Sequence, residues 1–185
     1  MTTQNNQTPQ NYTLELCFAA EQITESLQYT FYDEKHNRCD QKAHGPLAST
    51  FNFQQGDRIT IQVVGSAQSR TGDPGCPEFE IEINDCSLVS IPEKGVEALS
   101  MFDPGDAIIT VLGWTRSEPT QDKKNLTTTY TLTSQSPLLV KADKGQWKIS
   151  GYLSVNLTVN GENMNRLYYF DPEGTTGAGG GWGPD

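Results

Sequence analysis

The sequence predicts an all-β protein, an antiparallel two-sheet β-sandwich. Three observations carry this. Apolar residues recur at every second position through most of Tyr12 to Phe170. Turn residues punctuate those runs, with Asn160-Gly161 and Gly56-Asp57 the clearest. The composition is poor in apolar and charged residues, at 35% and 19%, and the difference is made up by Thr, Ser, Asn, Gln and Gly. Nine or ten strands result, arranged as a jelly-roll or Ig-like sandwich with one or two short helices; a barrel is the alternative.

The elements follow in order. Tyr12, Leu14, Leu16 and Phe18 alternate, which makes a strand, and Cys17 within it reads as a buried small hydrophobe. Residues 20–26 suit one helical turn, with Ala20, Ile23 and Leu27 on one side. Leu27, Tyr29 and Phe31 resume the alternation, and Asp33 to Gly45 is a polar loop. Phe51 and Phe53 end a strand at Gln55-Gly56-Asp57, a hairpin or tight-corner signal, after which Ile59, Ile61 and Val63 begin the next. Gly65 to Pro77 is a long loop.

In the next strand Phe79, Ile81 and Ile83 point one way and Glu78, Glu80 and Glu82 the other. Three unpaired carboxylates cannot be buried in a row, so the glutamate face is wet. Cys86 to Ile91 is a further apolar run, and 93–102 suits a second short helix bearing Val96 and Leu99. Ile108 to Leu112 is apolar on both faces and reads as a central strand. Thr127 to Leu132 is β-branched. Trp147, Ile149, Gly151, Leu153, Val155, Leu157 and Val159 alternate over the longest strand, Asn160-Gly161 turns the chain, and Met164 to Phe170 returns. The expected core is Leu14, Leu16, Phe18, Ile59, Ile61, Val63, Phe79, Ile81, Ile83, Ile109, Val111, Leu153, Val155 and Leu157.

With 185 residues there is room for one core. The expected organisation is a flexible lead-in over 1–11, the sandwich over 12–172 and a flexible Gly-rich tail over 173–185 that carries Trp182. The lead-in has no Lys, Arg or apolar run, so it is not read as a signal peptide, and the expected location is the cytoplasm. No run of 18 apolar residues offers a membrane span. A net charge of −10 repels phosphate backbones, which argues against nucleic acid as a partner.

Motifs for catalysis are missing: the chain has no Gly-x-Ser-x-Gly elbow and no phosphate-binding Gly loop. The four cysteines, Cys17, Cys39, Cys76 and Cys86, form no Cys-x-x-Cys and are expected as free thiols. His36, Cys39 and His44 share one polar stretch, but their spacing matches no common metal site and a solvated loop is the simpler reading. Asp103, Asp106, Asp171 and Glu173 lie in turns without a Ca²⁺-loop pattern. The glutamate row suits a solvated sheet face better than a glycosidase pair. No catalytic residue, metal or cofactor is therefore expected.

The best candidates for function are aromatic. Tyr168 and Tyr169 are adjacent in a strand, so one must face outward, and Trp182 sits where a tail could dock on a neighbour. These three are the expected interaction residues. The expected partner is a second copy of the chain or another protein, with a glycan as the alternative.

Four features resemble the bacterial AidA/PixA-type inclusion-body proteins. They are Leu14-Glu-Leu-Cys-Phe18 followed by the polar loop Asp33 to Gly45; the corner Phe51-Asn-Phe-Gln-Gln-Gly-Asp-Arg-Ile-Thr-Ile61; the chain's size; and the closing Leu167-Tyr-Tyr-Phe-Asp-Pro172. The resemblance implies a small cytoplasmic β-sandwich without known catalysis, able to accumulate or assemble in the cell. It carries over no catalytic residues.

Overall fold

The structure, a computed structural model, describes residues 8–39, 50–69, 75–93, 95–171 and 173–176. Its thirteen strands form two sheets. The first sheet holds β1 (Asn11–Ala19), β2 (Gln28–Tyr32), β4 (Arg58–Gln68), β7 (Trp114–Arg116), β8 (Thr120–Asp122), β9 (Thr127–Ser134) and β10 (Leu138–Leu139). Its main order is β2-β1-β4-β9-β7, with β10 on β4 and β8 on β9. The second sheet holds β3 (Thr50–Phe53), β5 (Phe79–Pro92), β6 (Ile108–Thr110), β11 (Gly145–Val159), β12 (Glu162–Phe170) and β13 (Glu173–Thr176). Its order is β3-β13-β11-β5-β6, with β12 beside the far half of β11.

β11 is the spine of the second sheet, and its sequence explains why. Trp147, Ile149, Gly151, Leu153, Val155 and Leu157 are buried, while the residues between them face outward. Asn160 and Gly161 follow with φ of 49° and 80°. Two consecutive positive φ values define the tight hairpin that Asn-Gly favours, and β12 returns antiparallel from Val159↔Glu162 to Gly151↔Phe170. Gly151 is required by its neighbour: a Cβ there would lie 2.2 Å from the Phe170 ring.

The core lies between the sheets and is rich in rings. Phe18 of the first sheet stacks on Tyr168 of the second at 4.9 Å, Phe31 meets Phe51 at 4.0 Å, and Phe79 meets Tyr130 at 5.9 Å. Of the expected core residues, Ile83 and Ile109 are only partly buried and the rest are buried. The corner between β3 and β4 joins the two sheets rather than forming a hairpin. Gly56 turns it at φ 95°, and the buried Asp57 carboxylate accepts N–H groups from Gln10 and Gln54, both at 2.7 Å.

Five expectations are corrected. The sheets are mixed, not antiparallel: β1 runs parallel to β4 from Asn11↔Arg58 to Ala19↔Ser66, and β13 runs parallel to β3. Alternation has the same period in both pairings, so it does not distinguish them. Among the described residues the strands number thirteen, not nine or ten, because β7, β8, β10 and β13 are too short to leave a periodic signature.

No helix forms among the described residues. Ala20 is buried but Ile23 is almost fully exposed, so 20–26 has no common apolar side. Glu25 and Leu27 instead exchange backbone hydrogen bonds with Tyr169, at 2.8 and 2.9 Å, which outweighs one isolated helical turn. Gly95 at φ 87° interrupts 93–102, where Val96 is part-buried and Leu99 exposed. Finally, Ile108–Thr110 is a short edge strand, not a central one, and Leu112 lies exposed beyond it. The strands also run on to Thr176, four residues into the expected tail.

Candidate interaction site

The outer face of the second sheet collects exposed apolar side chains. On β11 the parity that buries Leu153 sends Tyr152 outward, and on β12 the parity that buries Tyr168 and Phe170 sends Leu167 and Tyr169 outward. Past the register shift opposite Ser154/Val155, Val89 and Ile91 of β5 reach this face as well, and Ile108 of β6 sits opposite Val89. Register then sets the rows. Thr110, Ser87, Tyr152 and Tyr169 are successive cross-strand neighbours, flanked by Ile108, Val89 and Ser150 on one side and Asp85, Ser154 and Leu167 on the other. Ile91, Ile108, Tyr152, Leu167 and Tyr169 are each between 45% and 60% exposed. They are five of the nine exposed large hydrophobics among the described residues. Scattered singly they would be ordinary; lying across one face they form a band.

The band has a polar border. Asn84 and Asn156 exchange amide hydrogen bonds at 2.8 and 3.1 Å, Ser87 donates to Asp85 at 3.0 Å, and Ser150 donates to Asp171 at 3.1 Å. Glu80 and Glu82 continue the outer face on β5 and are exposed, as the sequence alternation requires. Tyr169 is also held in place by its backbone, through the bonds to Glu25 and Leu27.

The three expected interaction residues part company here. Tyr169 is half-exposed on the band, opposite Tyr152. Tyr168 is 1% exposed, stacked on Phe18 inside the core, and its hydroxyl has no hydrogen-bond partner among the described residues. Burial pushes its pKa up. Trp182 lies outside the described residues. Tyr152 and Leu167 complete the band, and the sequence carried a signal for both: each is out of phase with the buried residues of its strand.

The other chemical candidates do not assemble. Among the described residues, no group of three His, Cys, Asp or Glu side chains is placed to hold a metal ion. His36 stacks on Tyr32 at 4.3 Å, and His44 lies outside the described residues. Asp103 accepts hydrogen bonds from the Gly105 N–H at 3.0 Å and the Lys141 ammonium at 3.2 Å, which hold its pKa below the usual carboxylate value. Asp106 accepts the Ile108 N–H. Cys86 is buried and Cys17 half-buried, and desolvation pushes both thiols up to about 12. The alternation that buries Leu16 and Phe18 turns Cys17 to the outer face of the first sheet rather than into the core, with its thiol 3.5 Å from Glu15 Oε1. A void of about 10 Å³ between the sheets is lined wholly by apolar residues, among them Leu14, Phe31 and Ile149. That is too small and too dry to hold a substrate. No helix among the described residues is long and apolar enough to cross a membrane.

A scan against protein-family models finds no match, and a search of curated proteins finds none either.

Proposed function

We propose that this chain is a non-enzymatic cytoplasmic protein that works by self-assembly, in the manner of the AidA/PixA-type inclusion-body proteins it resembles. One observation carries the reading: the apolar band of Ile91, Ile108, Tyr152, Leu167 and Tyr169 across one outer face of the second sheet. Water-exposed apolar area of this kind is relieved by covering it with a matching surface. A second copy presents the same band. The charge of −10 per subunit opposes association, but screening over about 8 Å at physiological salt limits that repulsion to nearby groups.

Light scattering coupled to size-exclusion chromatography tests the reading. The expected result is a species heavier than the 20.4 kDa monomer at micromolar concentration, reduced by Tyr169→Ser. Removing 177–185, and Trp182 with them, tests separately whether the tail contributes. A monomer at every concentration refutes assembly.

A second reading has its own observation. Tyr152 and Tyr169 are directly opposed, half-exposed, and flanked by Asp85, Ser154 and Asp171, a mixture of aromatic faces and hydrogen-bonding groups suited to a sugar. The acidic surroundings would select a neutral glycan. Binding on a glycan array that is lost in both Tyr152→Ala and Tyr169→Ala would establish this reading in place of assembly.

A further inference from the structure

We propose that the outward edge of β12 is where copies of this chain join, by pairing antiparallel with the same edge of a second copy. The proposal rests on the self-assembly reading and adds to it a strand-to-strand contact that the apolar band adjoins but does not itself make. β11 occupies one side of β12. On the other side, Tyr169 donates its N–H to the Glu25 carbonyl and accepts the Leu27 N–H. Alternate residues of a strand turn their N–H and C=O the same way, so Leu167, Asn165 and Asn163 turn theirs outward too. Among the described residues no backbone group bonds to them there, and all three residues are exposed. The result is a stretch of open ladder next to the apolar band. It carries no Pro and no Lys, the usual devices that protect an edge.

The strand's own sequence selects the occupant. Pairing about a two-fold axis at Met164 sets Asn163 against Asn165 of the second copy, and the reverse, which closes the outward N–H and C=O groups of both residues. Met164, part-buried, then faces its counterpart. Arg166 faces Glu162 of the second copy on each side of the axis, where strand side chains stand closest. Arg166 is exposed and makes no ion pair among the described residues. An unrelated strand would have to present this pattern by chance, whereas a second copy has it by symmetry. The same pairing runs the second sheet across both subunits, with Leu167 and Tyr169 of each on one continuous face.

Three variants of the full chain test this by sedimentation equilibrium from micromolar to submillimolar concentration. The wild type is expected to move from 20.4 kDa towards twice that mass. Asn165→Pro removes an outward N–H that the monomer does not use, at an edge where Pro is tolerated. It is expected to remain monomeric with an unchanged circular dichroism spectrum. Arg166→Glu sets like charges together and should weaken the dimer by about tenfold or more. Adding Glu162→Arg to it should restore most of the loss, and this pair decides the matter if Asn165→Pro misfolds. An assembly that ignores all three changes overturns the edge pairing but leaves the assembly reading standing on the apolar band. A wild type that stays monomeric overturns both.

Discussion

The corner at Asp57 gives the sharpest test of how the two sheets are held together. Its carboxylate is buried, 1% exposed, and serves two backbone donors at once: Oδ1 takes the Gln10 N–H and Oδ2 takes the Gln54 N–H, both at 2.7 Å. Its own backbone is engaged as well, donating to the Gln54 carbonyl at 3.0 Å and accepting the Val140 N–H at 2.8 Å. The side chain therefore ties the segment before β1 and the end of β3 to the start of β4, and the backbone carbonyl adds the end of β10. A hydrogen bond to a charged group contributes about 1.5–3 kcal/mol. Gln10 is exposed and Gln54 half-buried, so water can partly replace the lost acceptor, and the low end applies to each. Asp57→Ala is expected to cost about 3 kcal/mol. Asp57→Asn should cost nearly as much despite its matching shape, because an amide must turn its NH₂ towards one of the two N–H donors. Urea denaturation reads this directly. With a slope of about 2 kcal/mol/M, the midpoint should fall by about 1.5 M in both variants at unchanged slope. An Asn variant within about 0.5 kcal/mol of wild type would show that the carboxylate is not the acceptor for both donors, and the argument would fail.

Other outcomes follow from single contacts. Ile81→Ala should cost about 2–5 kcal/mol, and Glu80→Ala, on the opposite face of β5, under about 0.5 kcal/mol; equal losses in thermal or urea unfolding would reverse the face assignment. Tyr168→Phe should be neutral or stabilising by up to about 1 kcal/mol, since it removes a buried hydroxyl without a partner; a loss larger than that in denaturation would reveal a partner. Gly151→Ala should destabilise by at least about 2 kcal/mol, because its methyl group would overlap the Phe170 ring, and a wild-type melting temperature would refute the clash. For the thiols, a folded-state pKa of about 12 means the reactive thiolate is lost from Cys17 and Cys86 at all pH values below that. At pH 8 roughly one such group in ten thousand is ionised. Alkylation followed by mass spectrometry should leave both unmodified until the chain is denatured, and rapid labelling of either in the native protein would contradict the burial.

What could be read from the sequence was whatever one or two strands settle between themselves. The Glu-Ile alternation of β5 needs no partner to show which face is wet. Trp147 to Val159 shows its buried side in the same way. What depended on distant segments was not legible. β1 and β4 alternate alike whether they run parallel or antiparallel, and only the crossover through β2 and β3 decides. Ile108 to Leu112 looks like a central strand because nothing local reveals that its neighbour is missing. The 20–26 segment turns and then pairs at Glu25 and Leu27 with Tyr169, far along the chain, instead of forming a helix.

The candidate site stands between these cases. Adjacent Tyr168 and Tyr169 had to face opposite ways, and which one faces out is fixed by the register that sets Tyr168 against the buried Leu153. The identity of its neighbour was within reach. A two-residue turn at Asn160-Gly161 pairs Val159 with Glu162, and stepping back residue by residue from that pair places Tyr152 against Tyr169. The same step places Leu167 beside Ser154 on the outer face. The aromatic pair and its apolar flank are thus consequences of one Asn-Gly turn and strict alternation. Ile91 and Ile108 are not: they join the band only because β5 shifts register opposite Ser154/Val155, which returns Val89 and Ile91 to the outer face. A shift of one residue exchanges the faces of everything beyond it. Without that irregularity, the β5 parity that exposes Glu80 and Glu82 would have turned Ile91 inward, and the band would have ended at Tyr152.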